Sequence, residues 1–275
     1  MSYYPLISIM PKTAASPYDP DAQAFITAAV ITDVTQQGAI NTLVLALKGY
    51  SIWTKFKAIY PIVGGTASQH KYNLKDPRDL DVAFRLTYAV GVTHSSTGMI
   101  SNGTSGYADT FFNPITQSSL QNNFFLSVYS RTNTNVGNPY EIGNADNWTT
   151  GVKFTGIITR YNNNRRYISI ADPYSTSNTE TDSRAFYCGG TNGSSNQILY
   201  KNGVNVLSGT SLQSGFSNIN IFICAVNSLL PTFAAAGFSI KQLAFASIGD
   251  GLTPTEAANF YTAVQAYQTT LSRQV

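Results

Sequence analysis

Charge is scarce in this sequence. Only 11% of its 275 residues are Asp, Glu, Lys or Arg, against about 25% in an average domain, so neutral Asn, Ser, Thr, Gln and Tyr are expected to wet its surface. The 17 Lys and Arg exceed the 14 Asp and Glu only slightly. They form no basic block, so no nucleic acid is expected as a partner. Glutamate is scarcest, with Glu141, Glu180 and Glu256 the only three, which restricts any chemistry that needs several carboxylates. No run of about 18 apolar residues is present, so no membrane insertion is expected. Met1 to Met10 lacks the charged start and cleavage pattern of a signal peptide. The two cysteines, Cys188 and Cys224, each sit in an apolar, strand-like run. They read as two buried thiols, with a disulfide open as the alternative in an oxidising setting. No Cys-x-x-Cys or Cys/His spacing points to zinc, and no cofactor or metal is expected.

What the chain has is 43% apolar and 12% aromatic residues, 17 Tyr and 15 Phe among them. That is enough to bury a core, which excludes disorder. The length suits one large β domain, or one domain with an appendage. Low charge with abundant Thr, Asn, Ser and Gly is a composition shared by extracellular adhesins and virion proteins.

The character of the chain changes near residue 75. Before it, Asp19-Pro20-Asp21 offers an N-cap, a proline at the first helical position and an acid in the first turn. A second helix is expected after Thr32-Asp33, with Ile40, Leu43, Val44 and Leu47 on one face and Lys48-Gly49 at its end. Ser51 is read as the cap of a third, short helix carrying Trp53, Phe56, Ile59 and Tyr60, closed by Pro61 and Gly64-Gly65. From about Leu80 the period becomes that of strands. Val82, Phe84, Leu86 and Tyr88 alternate, while Phe124 to Tyr129 is apolar on both faces. Gln197 to Val206 reads as a hairpin on the two-residue turn Asn202-Gly203. Gly249-Asp250-Gly251 then leads into a capping box, with Thr253 as N-cap, Pro254 at N1 and Glu256 at N3. Phe260, Val264, Tyr267 and Leu271 are the expected buried stripe of that last helix. Many short strands with turn signals between them indicate an antiparallel sandwich.

The segments LYKNGVNV (199–206) and FSIKQLAFASIGDGLTPTEAANFYTAVQAYQTTL (238–271) carry a resemblance. They look like the end of a LamG-like, concanavalin A-like jelly roll, a family with a late W/Y-x-N-G hairpin and an L-(S/T)-x-x-E helix start. With DLDVAFRLTYAVGVTHSSTG (79–98) and GTSGYADTFFNP (103–114), the whole is similar to LamG-like proteins of tailed-phage virions. The resemblance implies a mainly β fold, an antiparallel β-sandwich with an N-terminal helical segment and a C-terminal helix. It divides the chain into an extended and helical attachment segment, 1–72, and a LamG-like sandwich, 73–275, ending in helix 253–272. The implied role is structural and adhesive: a fibre, knob or decoration of the virion, assembled in the host cytoplasm. Other virion proteins and further copies of the chain, a trimer among the arrangements allowed, are the implied partners. A lectin that binds a host-surface glycan is the alternative.

Glycosidases of this fold class resemble one another in an E-x-D-x-E strand that supplies the two carboxylates the reaction needs. Here Glu180-Thr181-Asp182 is half of such a run, in a turn-like stretch read as a solvated loop, so the chain is not expected to be an enzyme. Asp76, Asp79 and Asp81 lie among Lys75, Arg78 and Arg85, where local ion pairing is favoured over a calcium site. Asp109, Asp146 and Asp172 lie in turns, and no spacing selects any of them as a ligand. Sugar recognition needs aromatic faces beside planar polar groups. Trp148, and the run containing Arg160, Tyr161, Asn163, Arg165 and Tyr167, supply both and are the candidate contacts for a glycan or a partner. The apolar faces of the first helices need cover, so Leu43, Leu47, Trp53 and Phe56 are expected at an intermolecular contact.

Overall fold

The structure, a computed structural model, describes residues 17–146, 152–173, 175–229 and 233–275. Helix α1 (Pro20–Ala28) starts as its sequence indicates, with the Asp19 carboxylate accepting from Asp21 N–H at 3.0 Å. Helix α2 (Val34–Gly49) is capped by Asp33, which accepts from Gln36 N–H at 2.8 Å. Lys48 ties the two helices by ion pairs to Asp19 and Asp21. A short helix, α3 (Ala67–His70), and the C-terminal α4 (Pro254–Thr270) complete the α-helices of the described residues. The α4 capping box is present in both directions, Glu256 N–H to Thr253 and Thr253 N–H to Glu256.

In chain order the strands are β1 (Phe56–Tyr60), β2 (Thr87–Tyr88), β3 (Val92–Ser95), β4 (Gly98–Ser101), β5 (Ala108–Asp109) and β6 (Asn123–Ser130). They continue with β7 (Ile142–Asp146), β8 (Lys153–Ile158), β9 (Arg165–Asp172), β10 (Thr176–Thr179), β11 (Ala185–Asn192) and β12 (Asn196–Lys201). The last are β13 (Val204–Thr210), β14 (Phe222–Ile223), β15 (Val226–Leu229), β16 (Phe233–Ala236) and β17 (Leu243–Gly249). An eight-stranded sheet runs β13-β12-β11-β6-β17-β4-β3, with β1 paired to β17. A nine-stranded sheet runs β10-β9-β8-β7-β14-β5-β2. There β15 lies parallel to β7, and β16 pairs antiparallel with β15. The expected sandwich with helices at both ends of the chain is the architecture observed.

The helices add a third layer. On β6, Leu126 and Val128 point into the core between the sheets, with Ile142, Ile157, Ile168 and Ile223 opposite. Phe125 and Tyr129 point the other way, into a second core built with α1, α2 and α4. A strand buried on both faces reads as a continuous apolar run, which is the pattern of Phe124 to Tyr129. Phe260 of α4 stands at the centre of that second core, with ring centroids 4.8 Å from Phe56 and 4.9 Å from Phe186.

Four expectations are corrected by the structure. Leu43, Leu47 and Phe56 are at most 2% exposed, so these three cover their own sheet rather than an intermolecular contact, and half-buried Trp53 packs against the same cluster. For the same reason residue 72 is no boundary, because β1 belongs to the eight-stranded sheet and the helices before it wall one core. The third helix is a single 3₁₀ turn, Trp53–Lys55, followed by β1. A bulge between Phe56 and Ala58 turns Phe56 and Ile59 to the same side, so a strand mimics helical i, i+3 spacing there. The strand read through Val82 to Tyr88 is instead a 3₁₀ turn, Asp81–Ala83, a left-handed Phe84 and the short β2. Arg85 reaches back to Asp81 and leaves Val82 exposed.

The β12–β13 hairpin turns on Asn202 (φ 51°) and Gly203 (φ 74°), both left-handed as a type I′ turn requires. It also docks on α4, since a Cβ at Gly203 would lie 3.1 Å from Ala258 Cα. Gly203→Val is expected to lower stability by at least about 1 kcal/mol; an unchanged urea midpoint would contradict this turn.

Candidate functional site

The β8–β9 hairpin gathers five of the residues singled out in the sequence. Tyr161 and Tyr167 meet edge to face at 5.7 Å, and Asn163 donates to the Tyr167 hydroxyl at 2.6 Å. Arg160 donates to Asn133 and to Asn164, and Arg165 to Ser177, so both guanidinium groups are engaged in holding the hairpin and tying it to its neighbours. The result is an exposed polar rim. Trp148 lies outside the described residues.

The root of this rim is held from within. Glu141 and Lys241 are both fully buried and pair at 2.9 Å. Glu141 also accepts from Thr159 N–H and the Ser239 hydroxyl, while Lys241 donates to the Arg160 carbonyl. A second buried acid corrects the expectation of a solvated loop: Glu180 is 4% exposed and pairs with Lys201 and Arg166. Burial opposes its charge, yet the Asp182 N–H, Lys201 and Tyr187 together hold its carboxyl below the ordinary range. Asp79 pairs with Lys71 and Arg85, Asp76 with Arg78, and Asp81 with Arg85, as local ion pairing requires. Cys188 and Cys224 are free, buried thiols. Among the described residues no three His, Cys, Asp or Glu side chains are grouped as a metal site.

A groove of about 370 Å³ opens elsewhere on the nine-stranded sheet, at a place the sequence reading did not select. Strand register builds it. Phe222 pairs with Asp109 across β14 and β5, so the two share a face, and the period of two adds Tyr107 and Asn220 to that face. The alternate residues, Ala108 and Ile223, point into the core between the sheets. Tyr107 and Phe222 stack at 4.3 Å with their planes 12° apart. Asn220 donates to both Asp109 oxygens at 3.1 and 3.2 Å, and Phe111 N–H adds a bond at 2.7 Å. Asn113 and Asn218, hydrogen-bonded to one another, also line it. Burial pushes the Asp109 carboxyl above its ordinary value, against the opposing pull of Phe111 N–H and Asn220. The signal for this site was present as Tyr-x-Asp (107–109) and Asn-x-Asn-x-Phe (218–222). Each segment forms only a two-residue strand, too short to be recognised by alternation.

The two histidines, apart in sequence, also meet. His70 Nδ1 lies 3.0 Å from His94 Nδ1, and His70 Nε2 accepts from Gly65 N–H. With Nε2 an acceptor, the neutral His70 carries its proton on Nδ1 and donates it to His94.

No family model and no curated protein matches the chain. Among solved structures, a Trypanosoma rangeli sialidase in complex with 2,3-difluoro-KDN matches 82% of this chain and 39% of its own, at 9% identity and a TM-score of 0.50. Domain 4 of AbnA, an extracellular arabinanase of Geobacillus stearothermophilus, in complex with arabinotriose, matches 75% of this chain and 98% of its own, at 14% identity and a TM-score of 0.48. The botulinum neurotoxin serotype D binding domain matches 77% and 52%, at 12% identity and 0.46. The chain thus spans about two fifths of the sialidase's length. The sialidase likeness shows a shared fold and no more. It nevertheless overturns the expectation that the chain is not an enzyme: the chain shares its fold with part of a sialidase, so a missing E-x-D-x-E strand excludes one arrangement of carboxylates and no more.

Two outcomes test these internal contacts. Lys241→Met leaves Glu141 buried without its cation and is expected to cost about 3–5 kcal/mol in a denaturant melt. Burial, with His94 and Arg273 nearby, lowers His70 from its ordinary 6.5 to about 3. The unfolded chain therefore binds the extra proton first, and stability should fall as pH drops below about 6.5, by up to about 1.4 kcal/mol per pH unit. His70→Gln should flatten that part of the stability curve; an unchanged slope would contradict the assignment.

Proposed function

We propose that this protein is a glycan-binding β-sandwich displayed on a tailed-phage virion, as a fibre, knob or decoration that contacts the host surface. The observation that carries the binding part is the groove: an aromatic stack beside a carboxylate and several side-chain amides. Sugars offer C–H faces to aromatic rings and hydroxyls that both donate and accept, and this lining answers both. The β8–β9 rim, with Tyr161, Tyr167 and Asn163, is a second polar surface for contact with a glycan or partner. The low charge, the wealth of Asn, Ser and Thr, and the family resemblance support display on a virion. Assembly with other virion proteins and with further copies of the chain belongs to the same reading. It would use surfaces other than the α2 stripe, which is spent on the core.

A glycan array probed with the purified protein tests the binding part. A defined set of glycans should be retained, and Tyr107→Ser should reduce that signal at least about tenfold while the melting curve stays that of the wild type. Retention of no glycan, or retention indifferent to Tyr107, would sink the reading. Mass spectrometry of purified particles tests display, and absence of the chain from them would remove the virion role.

A further inference from the structure

We propose that the groove selects uncharged sugars and rejects acidic ones. The inference rests on the glycan reading above and names the substrate class of that same site. It follows from which donors, acceptors and charges the groove leaves unused.

A carboxylate can accept about four hydrogen bonds, two on each oxygen. Asp109 Oδ1 already accepts from Phe111 N–H and from Asn220, whereas Oδ2 accepts only the longer bond from Asn220. Oδ2 therefore keeps acceptor capacity at a residue that lines the groove. Asn220 spends its amide N–H on Asp109, which leaves its carbonyl oxygen as a neighbouring acceptor. Also on the lining, Asn218 uses its carbonyl oxygen to accept from Asn113 and keeps its amide N–H groups as donors. Acceptors and donors on one lining suit adjacent hydroxyls, which both donate and accept. Phe222 is buried and Tyr107 half-exposed, so the accessible part of the stack belongs to Tyr107, a flat plate for the apolar face of a ring. A volume of about 370 Å³ is at the low end of small-ligand pockets, the size of one or two sugar rings.

Charge gives the selection its sign. Among the described residues that line the groove there is no Lys, Arg or His, and Asp109 is the one ionisable acid. The local carboxylates and cations elsewhere are paired with each other, as on Asp76, Asp79 and Glu180. A sugar that carries its own carboxylate would bring a second negative charge beside Asp109, with no cation on the lining to receive it. It would also bring acceptors where the groove already offers acceptors. A neutral ring meets neither obstacle, and like-charge exclusion of this kind is how a site rejects a close analogue of the same shape.

Glucose and glucuronic acid, taken as methyl glycosides, form a matched pair for the test, with methyl galactoside, methyl mannoside, N-acetylglucosamine and sialic acid alongside. Binding to the full chain is read by chemical-shift titration. At least one neutral sugar should bind, and each acidic sugar should bind at least about tenfold more weakly than its neutral counterpart. Asp109→Asn keeps the shape of the side chain and removes its charge, so it should narrow the gap between the members of the matched pair. Tyr107→Ser should weaken every sugar alike, which places the binding at this groove. Acidic sugars that bind as tightly as neutral ones, with sensitivity to Tyr107, would overturn the selection and leave the glycan reading standing. Binding that ignores Tyr107 would overturn the groove assignment, and no binding of any sugar would remove both. Should Asp109→Asn fail to fold, the wild-type comparison of the matched pair with Tyr107→Ser still decides the point.

Discussion

Burial of the eight-stranded sheet on both faces is the constraint on which the rest of this structure depends. Its strands β6, β11 and β17 send one set of side chains toward the second sheet and the other set toward the helices. A single sandwich would leave Phe125, Tyr129, Phe186 and Phe245 facing water. The helices α1, α2 and α4 prevent this, with Phe260 set among the rings. Helices this short are marginal in isolation, so sheet and helices stabilise one another. An N-terminal part that reads as an appendage is for this reason part of the domain.

Few as they are, several charges lie inside. Glu141 with Lys241, and Glu180 with Arg166 and Lys201, are ion pairs whose remaining bonds go to side-chain hydroxyls and amides and to backbone groups, several of them in loops. Arg273, 1% exposed, donates to the carbonyls of Pro61, Ile62 and Ala244 and so fastens the segment after α4 to the strap after β1. Removing two charges from water costs more than their attraction returns unless such extra bonds are made. Here several are made to segments with little regular structure, among them Thr159 N–H, the Arg160 carbonyl and the Asp182 backbone, so the buried charges also locate loops. The β8–β9 rim, rooted at Thr159 and Arg160, is held in this way.

The groove has a different origin. It lies on the outer face of the nine-stranded sheet, where β5 and β14 are only two residues long and cross-strand register alone places Asp109 beside Phe222. Short strands free the chain on both sides to turn, and those turns bring in Asn113 and Asn218. Binding surfaces are commonly made of such loop-borne polar groups set on a packed scaffold.

Local chemistry was legible in the residues alone. The caps at Asp19, Asp33 and Thr253, the α2 and α4 stripes, the Asn202-Gly203 turn and the doubly apolar β6 each depend on neighbours a few positions away, and each is where the sequence indicates. The mainly β, sandwich class follows from the same periodicities. Tertiary structure alone decided what covers what. A 3.6 period shows that Leu43 and Leu47 must be buried but not by which partner, and the bulge in β1 imitates helical spacing until β17 supplies its hydrogen bonds. Contacts between residues distant in the chain had no local signal at all: the pairing of His70 with His94, of Glu180 with Lys201, and of Asp109 with Asn220. Periodicity reports the direction in which a side chain points, whereas a site depends on which segments meet there, and only the folded chain settles that.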